Sequence, residues 1–180
     1  CRIMKKILVA IDFSNASRNA LDFGAELARE FDAGLILIHS FLLPIPVGDL
    51  PGYIPVSFAE VQEENEALLQ REIEYVLDKH KIAADGFVRT GSASGEINDL
   101  AKEVNAELII LGMKGAGQTA SIFGSTVTAV IRTARKPMLI IPETVKYSPV
   151  KKICFAADFG NWPAADDYKT LVEFVNHFKA

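Results

Sequence analysis

At 180 residues the chain is long enough for one well-buried domain with some length to spare. With 49% hydrophobic and 23% charged residues it is too apolar for disorder, and a net charge of -4 gives no electrostatic basis for binding nucleic acid. No apolar run reaches the roughly 20 residues of a membrane span, and the most apolar region, LILIHSFLLPIPV, is broken by His39, Ser40, Pro44 and Pro46.

Met4 reads as the natural start. The apolar core that follows is short and runs directly into Asp12, a poor secretory signal, so the cytoplasm is the expected location. Residues 7–11, ILVAI, form a β-branched run of the kind found in strands buried on both faces. A loop follows with Ser14 as the best N-cap, and then Ala20, Gly24, Leu27, Ala28 and Phe31 recur at helical spacing. Residues 34–41, GLILIHSF, are a second strand, and the proline-broken stretch 42–56 cannot be regular throughout. Ser57 and Glu60 stand at capping-box spacing and open a long helix striped by Val61, Leu68, Leu69, Ile73, Val76 and Leu77. A short strand at 86–90 precedes a helix over 94–106, and 107–111, ELIIL, is another buried-strand run. Glycines 112, 115, 117 and 124 come next, then a helix marked by Val127, Val130, Ile131 and Ala134, and a fifth strand over 137–142.

Alternating strands and helices specify an α/β fold: a doubly wound, five-stranded parallel sheet with helices on both faces. In strand order 3-2-1-4-5 the first and fourth strands are neighbours at the switch point, where ligands bind outside the carboxyl ends of strands. Asp12 and Gly112 stand at those two ends. A glycine there lets a ligand approach the backbone, and the next helix offers unpaired N–H groups to an anion. Ser125 and Thr126 would add hydroxyls, Lys114 a full charge, and Asp12 could accept from a ribose hydroxyl or help hold a metal ion. A glycine-rich loop is equally common as turn geometry, GxxxxGK[ST] is absent, and AIDFSNA rather than GxGxxG follows the first strand. From the residues alone, phosphate cradle and simple turn both stand open.

Beyond Pro142 the chain echoes itself. Lys151-Lys152 match Lys5-Lys6, Asp158-Phe159 match Asp12-Phe13, and Asn161 matches Asn15, all at an offset of 146 residues. Residues 1–146 thus read as one domain, and 147–180 as a C-terminal βα fragment of a second copy, a strand and an amphipathic helix with Leu171, Phe174, Val175 and Phe178 on one face. The other polar residues carry weaker signals. Cys1 and Cys154 form no CxxC pair, His39 reads as a core or strand-end residue, and His80 and His177 sit at helix ends where a cation suits the dipole. The acidic run from Glu60 to Glu74 reads as a solvated helix face, and no Ser-His-Asp or Cys-His order or paired carboxylate suggests catalysis.

The stretches KKILVAIDFS, LILIHSF, AELIILGMKGAG, FGSTVTAVI and KPMLIIP together resemble the universal stress protein family over residues 4–142, with a truncated second domain of a tandem-type member after it. One branch of that family binds ATP through G-x2-G-x9-G-[ST]. Gly112, Gly115, Gly124 and Ser125 match it, except that eight residues rather than nine separate Gly115 from Gly124. The resemblance implies phosphate contacts at Gly112, Gly115, Gly124, Ser125 and Thr126, beside the charge of Lys114, adenosine contacts at Ala10, Asp12 and Ser40, and ATP as ligand with Mg2+ as its companion. It also implies a stress-response protein that acts by binding rather than turnover, and a homodimer through the edge of the fifth strand, with no nucleic-acid or membrane partner. An interaction module that binds no nucleotide is the second reading, and an ATPase or phosphotransferase the third.

Overall fold

The computed structural model describes residues 4–43, 57–114, 125–156 and 168–180. Gly115, Gly117, Gly124 and the repeat residues Asp158, Phe159 and Asn161 lie outside the described residues. In chain order the elements are β1 (Lys6–Ala10), α1 (Asn15–Phe31), β2 (Gly34–Phe41), α2 (Phe58–His80), β3 (Ala84–Thr90), α3 (Ala93–Glu103), β4 (Leu108–Met113), α4 (Ser125–Thr133), β5 (Met138–Pro142) and α5 (Lys169–Phe178). The five strands form one parallel sheet in the order β3-β2-β1-β4-β5, as the alternation of runs requires.

The apolar runs are continuous because each strand feeds two cores. Ile7, Val9, Leu35, Leu37, Leu108 and Ile110 point to one face, where Leu21 and Leu27 of α1 and Leu69 and Val76 of α2 cover them. Leu8, Ile36, Ile38, Ile109 and Leu111 point to the other, under Ile97 and Leu100 of α3 and Val130 of α4. This is the period of two expected of a pleated strand. Each fully buried aliphatic side chain stabilises the fold by about 1.5–3 kcal/mol.

Helix α1 starts where the sequence suggests: the Ser14 hydroxyl accepts from Ser17 N–H at 3.2 Å. The capping box at α2 does not form. Ser57 is its N-cap but makes no side-chain cap hydrogen bond, and Leu77, expected in the apolar stripe, is 49% exposed. Nor is the acidic run of α2 wholly solvated. Glu72 is 3% exposed and forms a two-point ion pair with Arg18 of α1, the Arg18 Nε donating at 3.1 Å. A buried carboxylate requires such a partner. His80, expected merely to sit at a helix end, is also buried, with Nε2 2.8 Å from Asp22 Oδ1 and Nδ1 2.9 Å from Glu26 Oε1. Lys79 and Tyr75 donate to Asp22 as well, so a polar cluster ties α2 to α1.

The tail differs from expectation in one respect. Helix α5 forms, but residues 151–156 are not in a strand. A parallel strand needs a neighbour on which to pair, and no sheet partner for 151–156 stands among the described residues. Instead the segment after β5 is fastened to α1. The buried Asn19 amide donates to the Pro142 and Val145 carbonyls at 3.1 and 2.7 Å and accepts from Lys146 Nζ at 2.7 Å. Tyr147 meets Phe23 edge-on at 5.1 Å. Helix α5 then rests on the end of α1, with Phe174, His177 and Phe178 around Phe31 and His177 Nε2 3.0 Å from Glu30.

Candidate functional site

The strands on either side of the switch point separate toward their carboxyl ends. Pairing of β1 with β4 ends at Val9 and Ile110, whereas β1 stays with β2 through Ala10 and Ile38. A cleft of about 300 Å³ opens in the gap, the place this topology offers a ligand. Ala10, Asp12, Ser40, Gly112, Lys114 and Thr126 all line it. The six come from β1, β2, β4, α4 and the loops after β1 and β4. Ser125 opens α4 beside them, while Gly115 and Gly124 lie outside the described residues.

Asp12 is firmly oriented. Its Oδ1 accepts from both the Ser14 N–H at 3.0 Å and the Ser14 hydroxyl at 2.5 Å, and its own N–H donates to Ser17 Oγ at 3.3 Å. The Ser14 hydroxyl therefore spends its proton on Asp12 and its lone pair on the α1 cap. Burial pushes the Asp12 carboxyl up, but hydrogen bonds from Ser14 and Ser17 and the charge of Lys114 outweigh it and hold the group below the usual carboxylate value. Asp12 and Lys114 are the one acid and the one base among the described lining residues, so the cleft wall carries one charge of each sign. Thr126 and Val127 place the first turn of α4 on the wall, where helix N–H groups suit an anion.

Gly112 has a different reason for its missing side chain than ligand access. A Cβ there would lie 2.7 Å from Ser17 N and nearer still to the Ala16 carbonyl. The glycine lets β4 abut the first turn of α1, the turn that carries Ser14 and Ser17. Sequence reasoning missed several wall residues: Ser14, Ser17 and Ala16 of the α1 start, Ile38 of β2, and Ala93 and Ile97 of α3. The two serines had a signal, since the loop that presents Asp12 is also the cap of α1. Ala93 and Ile97 reach the cleft only because α3 crosses back over the sheet, which spacing along the chain does not reveal.

Among the described residues no group of three His, Cys, Asp or Glu side chains is placed to hold a metal ion. Mg2+ usually takes one or two carboxylates together with substrate phosphates. The one carboxylate of the described cleft wall, Asp12, is turned to its own loop through Ser14, so a Mg2+ here would be held by the phosphates of a bound polyphosphate. No described helix is long and apolar enough to cross a membrane.

Comparison with known proteins matches residues 4–142 to the universal stress protein family. A universal stress protein of Synechocystis is 33% identical over 141 residues, spanning 78% of this chain and 87% of its own. A family structure from Burkholderia pseudomallei is 26% identical with a TM-score of 0.61, covering 77% of this chain and 96% of its own. The universal stress protein of Archaeoglobus fulgidus in complex with dAMP has the same fold, at 24% identity and a TM-score of 0.56, over 78% of this chain and 99% of its own. With the sheet order, the switch-point cleft and the match over residues 4–142 in agreement, this chain belongs to the universal stress protein family.

Proposed function

We propose that the cleft binds an adenine nucleotide, ATP foremost, and that the protein acts in the stress response by occupancy rather than turnover. The observation that carries this reading is that one cleft is lined by an oriented Asp12, held below the usual carboxylate value, at the end of β1, by Lys114 after β4, and by the first turn of α4. Asp12 accepts from the ribose hydroxyls, and Ala10 and Ser40 border the nucleoside. Phosphates lie toward Gly112, Lys114, Ser125 and Thr126, with Gly115 and Gly124 in the connecting loop. The dAMP held by the Archaeoglobus protein, which shares the fold, supports an adenine nucleotide as the class of ligand. Mg2+ accompanies ATP through its phosphates. The one carboxylate of the described cleft wall is Asp12, which this reading assigns to the ribose rather than to a water beside the phosphates.

The edge strand β5 pairs only with β4 among the described residues, and Met138, Leu139 and Ile140 are half-buried along it. A homodimer formed through this edge is part of the proposal, because an unpaired edge is a template for a second chain. The residues from 147 onward are the start of a second repeat.

Titration calorimetry tests the nucleotide reading. ATP should bind, and Asp12→Ala or Lys114→Ala should weaken it by at least about tenfold, the worth of one hydrogen bond to a charged group. Saturating ATP that gives neither heat nor a thermal shift would sink the reading in favour of an interaction module that uses no nucleotide.

A further inference from the structure

The turn that brings Asp12 into the cleft is held in a conformation that its own residues do not favour. Phe13 has a φ of 61°, in the left-handed region, where a bulky side chain is a steric outlier. Such a conformation persists when the surroundings over-determine it. The surroundings here come from β2. The Phe13 ring lies on the His39 imidazole, centroids 4.4 Å apart and planes at 39°. His39 is buried, and its Nδ1 is 2.8 Å from the Ile11 carbonyl, so that nitrogen carries the proton and donates. The Ile11 N–H in turn donates to the Ile38 carbonyl at 2.8 Å. Register between β1 and β2 ends one residue earlier, at Ala10 and Ile38. The imidazole thus supplies the donor that the ladder no longer provides.

Both neighbours of Asp12 are therefore fixed by β2: Ile11 through hydrogen bonds and Phe13 through its ring. His39 is not on the cleft wall, although Ile38 and Ser40 on either side of it are. A residue that only filled the core could be aliphatic, and an aliphatic side chain would leave the Ile11 carbonyl without this donor.

We propose that His39 is a positioning residue for the ligand, setting the place of the Asp12 carboxylate by holding Ile11 and Phe13 from the adjacent strand. The proposal rests on the nucleotide reading of the cleft, but its effect on Asp12 is measurable without nucleotide. Two measurements on the full chain serve: carboxyl NMR titration of Asp12, and calorimetry with ATP and with 2′,3′-dideoxy-ATP, which lacks the ribose hydroxyls. In His39→Leu, Asp12 loses its alignment with Ser14, so its titration should move up toward that of an ordinary carboxylate. The preference for ATP over the dideoxy analogue should fall by at least about tenfold. His39→Gln, which keeps an N–H for Ile11, should lie between wild type and His39→Leu in both. If His39→Leu does not fold, Phe13→Ala takes its place with the same expectation, because it removes the ring that spans the two strands. A purely structural histidine would lower the melting temperature and move neither readout. The proposal is overturned if Asp12 titrates as in wild type in the folded variant with the preference unchanged. If wild type itself binds neither nucleotide, the nucleotide reading fails, and the Asp12 titration still decides whether His39 positions the carboxylate.

Discussion

Replacing Gly112 with alanine separates two reasons for a glycine at the end of β4. The added Cβ would sit 2.7 Å from Ser17 N and closer to the Ala16 carbonyl, against an ordinary contact of 3.4 Å or more. All three atoms belong to the backbone of the first turn of α1, so no rotamer change relieves the overlap. Strand and helix must part by roughly 1 Å, and overpacking without side-chain relief belongs at the upper end of its usual cost, about 3 kcal/mol. In a chain of 180 residues that is a fall in melting temperature of about 6–12 °C. Gly24→Ala is the control. Its Cβ would meet side chains only, Val9 Cγ2 at 2.8 Å and Ile110 Cδ1 at 3.4 Å, and alanine regains about 1 kcal/mol of helix propensity against that overlap with a buried, stiff valine. Thermal melts of both variants should show the larger loss for Gly112→Ala and a smaller one for Gly24→Ala. Because Ser14 and Ser17 move with α1, Gly112→Ala should also weaken ATP binding. A Gly112→Ala melt within about 2 °C of wild type would refute the packing argument, since even 1 kcal/mol moves a chain of this size that far.

Asp22 gives a pH prediction. Burial raises its carboxyl, but hydrogen bonds from Lys79, His80 and Tyr75 win and depress it, so its stabilisation is present above the unfolded value of about 3.9 and is lost as pH falls through the folded one. Asp22→Asn should be the weaker protein at neutral pH, with its urea midpoint converging on wild type below about pH 4. Ser14→Ala should cost about 1 kcal/mol by melting through loss of the α1 cap, and should raise the Asp12 titration observed by NMR. Asn19→Leu strips a donor from the Pro142 and Val145 carbonyls and the acceptor from Lys146. The expected loss is about 1–3 kcal/mol, with faster limited proteolysis near Lys146.

The sheet could be read from sequence because a parallel strand buried on both faces leaves an unbroken apolar run, as in β1, β2 and β4, and these together with the two shorter edge strands, separated by helical stripes, admit few topologies. Asp12 and Gly112 were legible as a pair for the same reason: order 3-2-1-4-5 makes their strands adjacent. Contacts across long chain separations were not legible. Glu72 looks like one more acid on a charged helix until Arg18, 54 residues earlier, is seen beside it. Likewise Asn19 has no visible task until Lys146, 127 residues later, folds back onto it. Ser57 and Glu60 satisfy a pattern whose geometry the chain does not adopt, whereas Ser14 satisfies one that it does. Spacing identifies candidates, and the angle at which the chain enters the helix decides.

Three of the connections that lead from a helix into the next strand turn through left-handed residues, none of them glycine: Asp32 before β2, Lys81 before β3 and Asn105 before β4. Asp and Asn tolerate that conformation, but Lys81, at φ 59°, carries a steric cost that glycine would not. All three lie at the amino ends of the strands, with the cleft at the opposite ends. The molecule thus has one rim that can drift or be engineered for thermal endurance, by Lys81→Gly for instance, and another whose loops decide what is held. Heat tolerance and ligand choice can change independently in this chain, because the sheet keeps the two rims a full strand length apart.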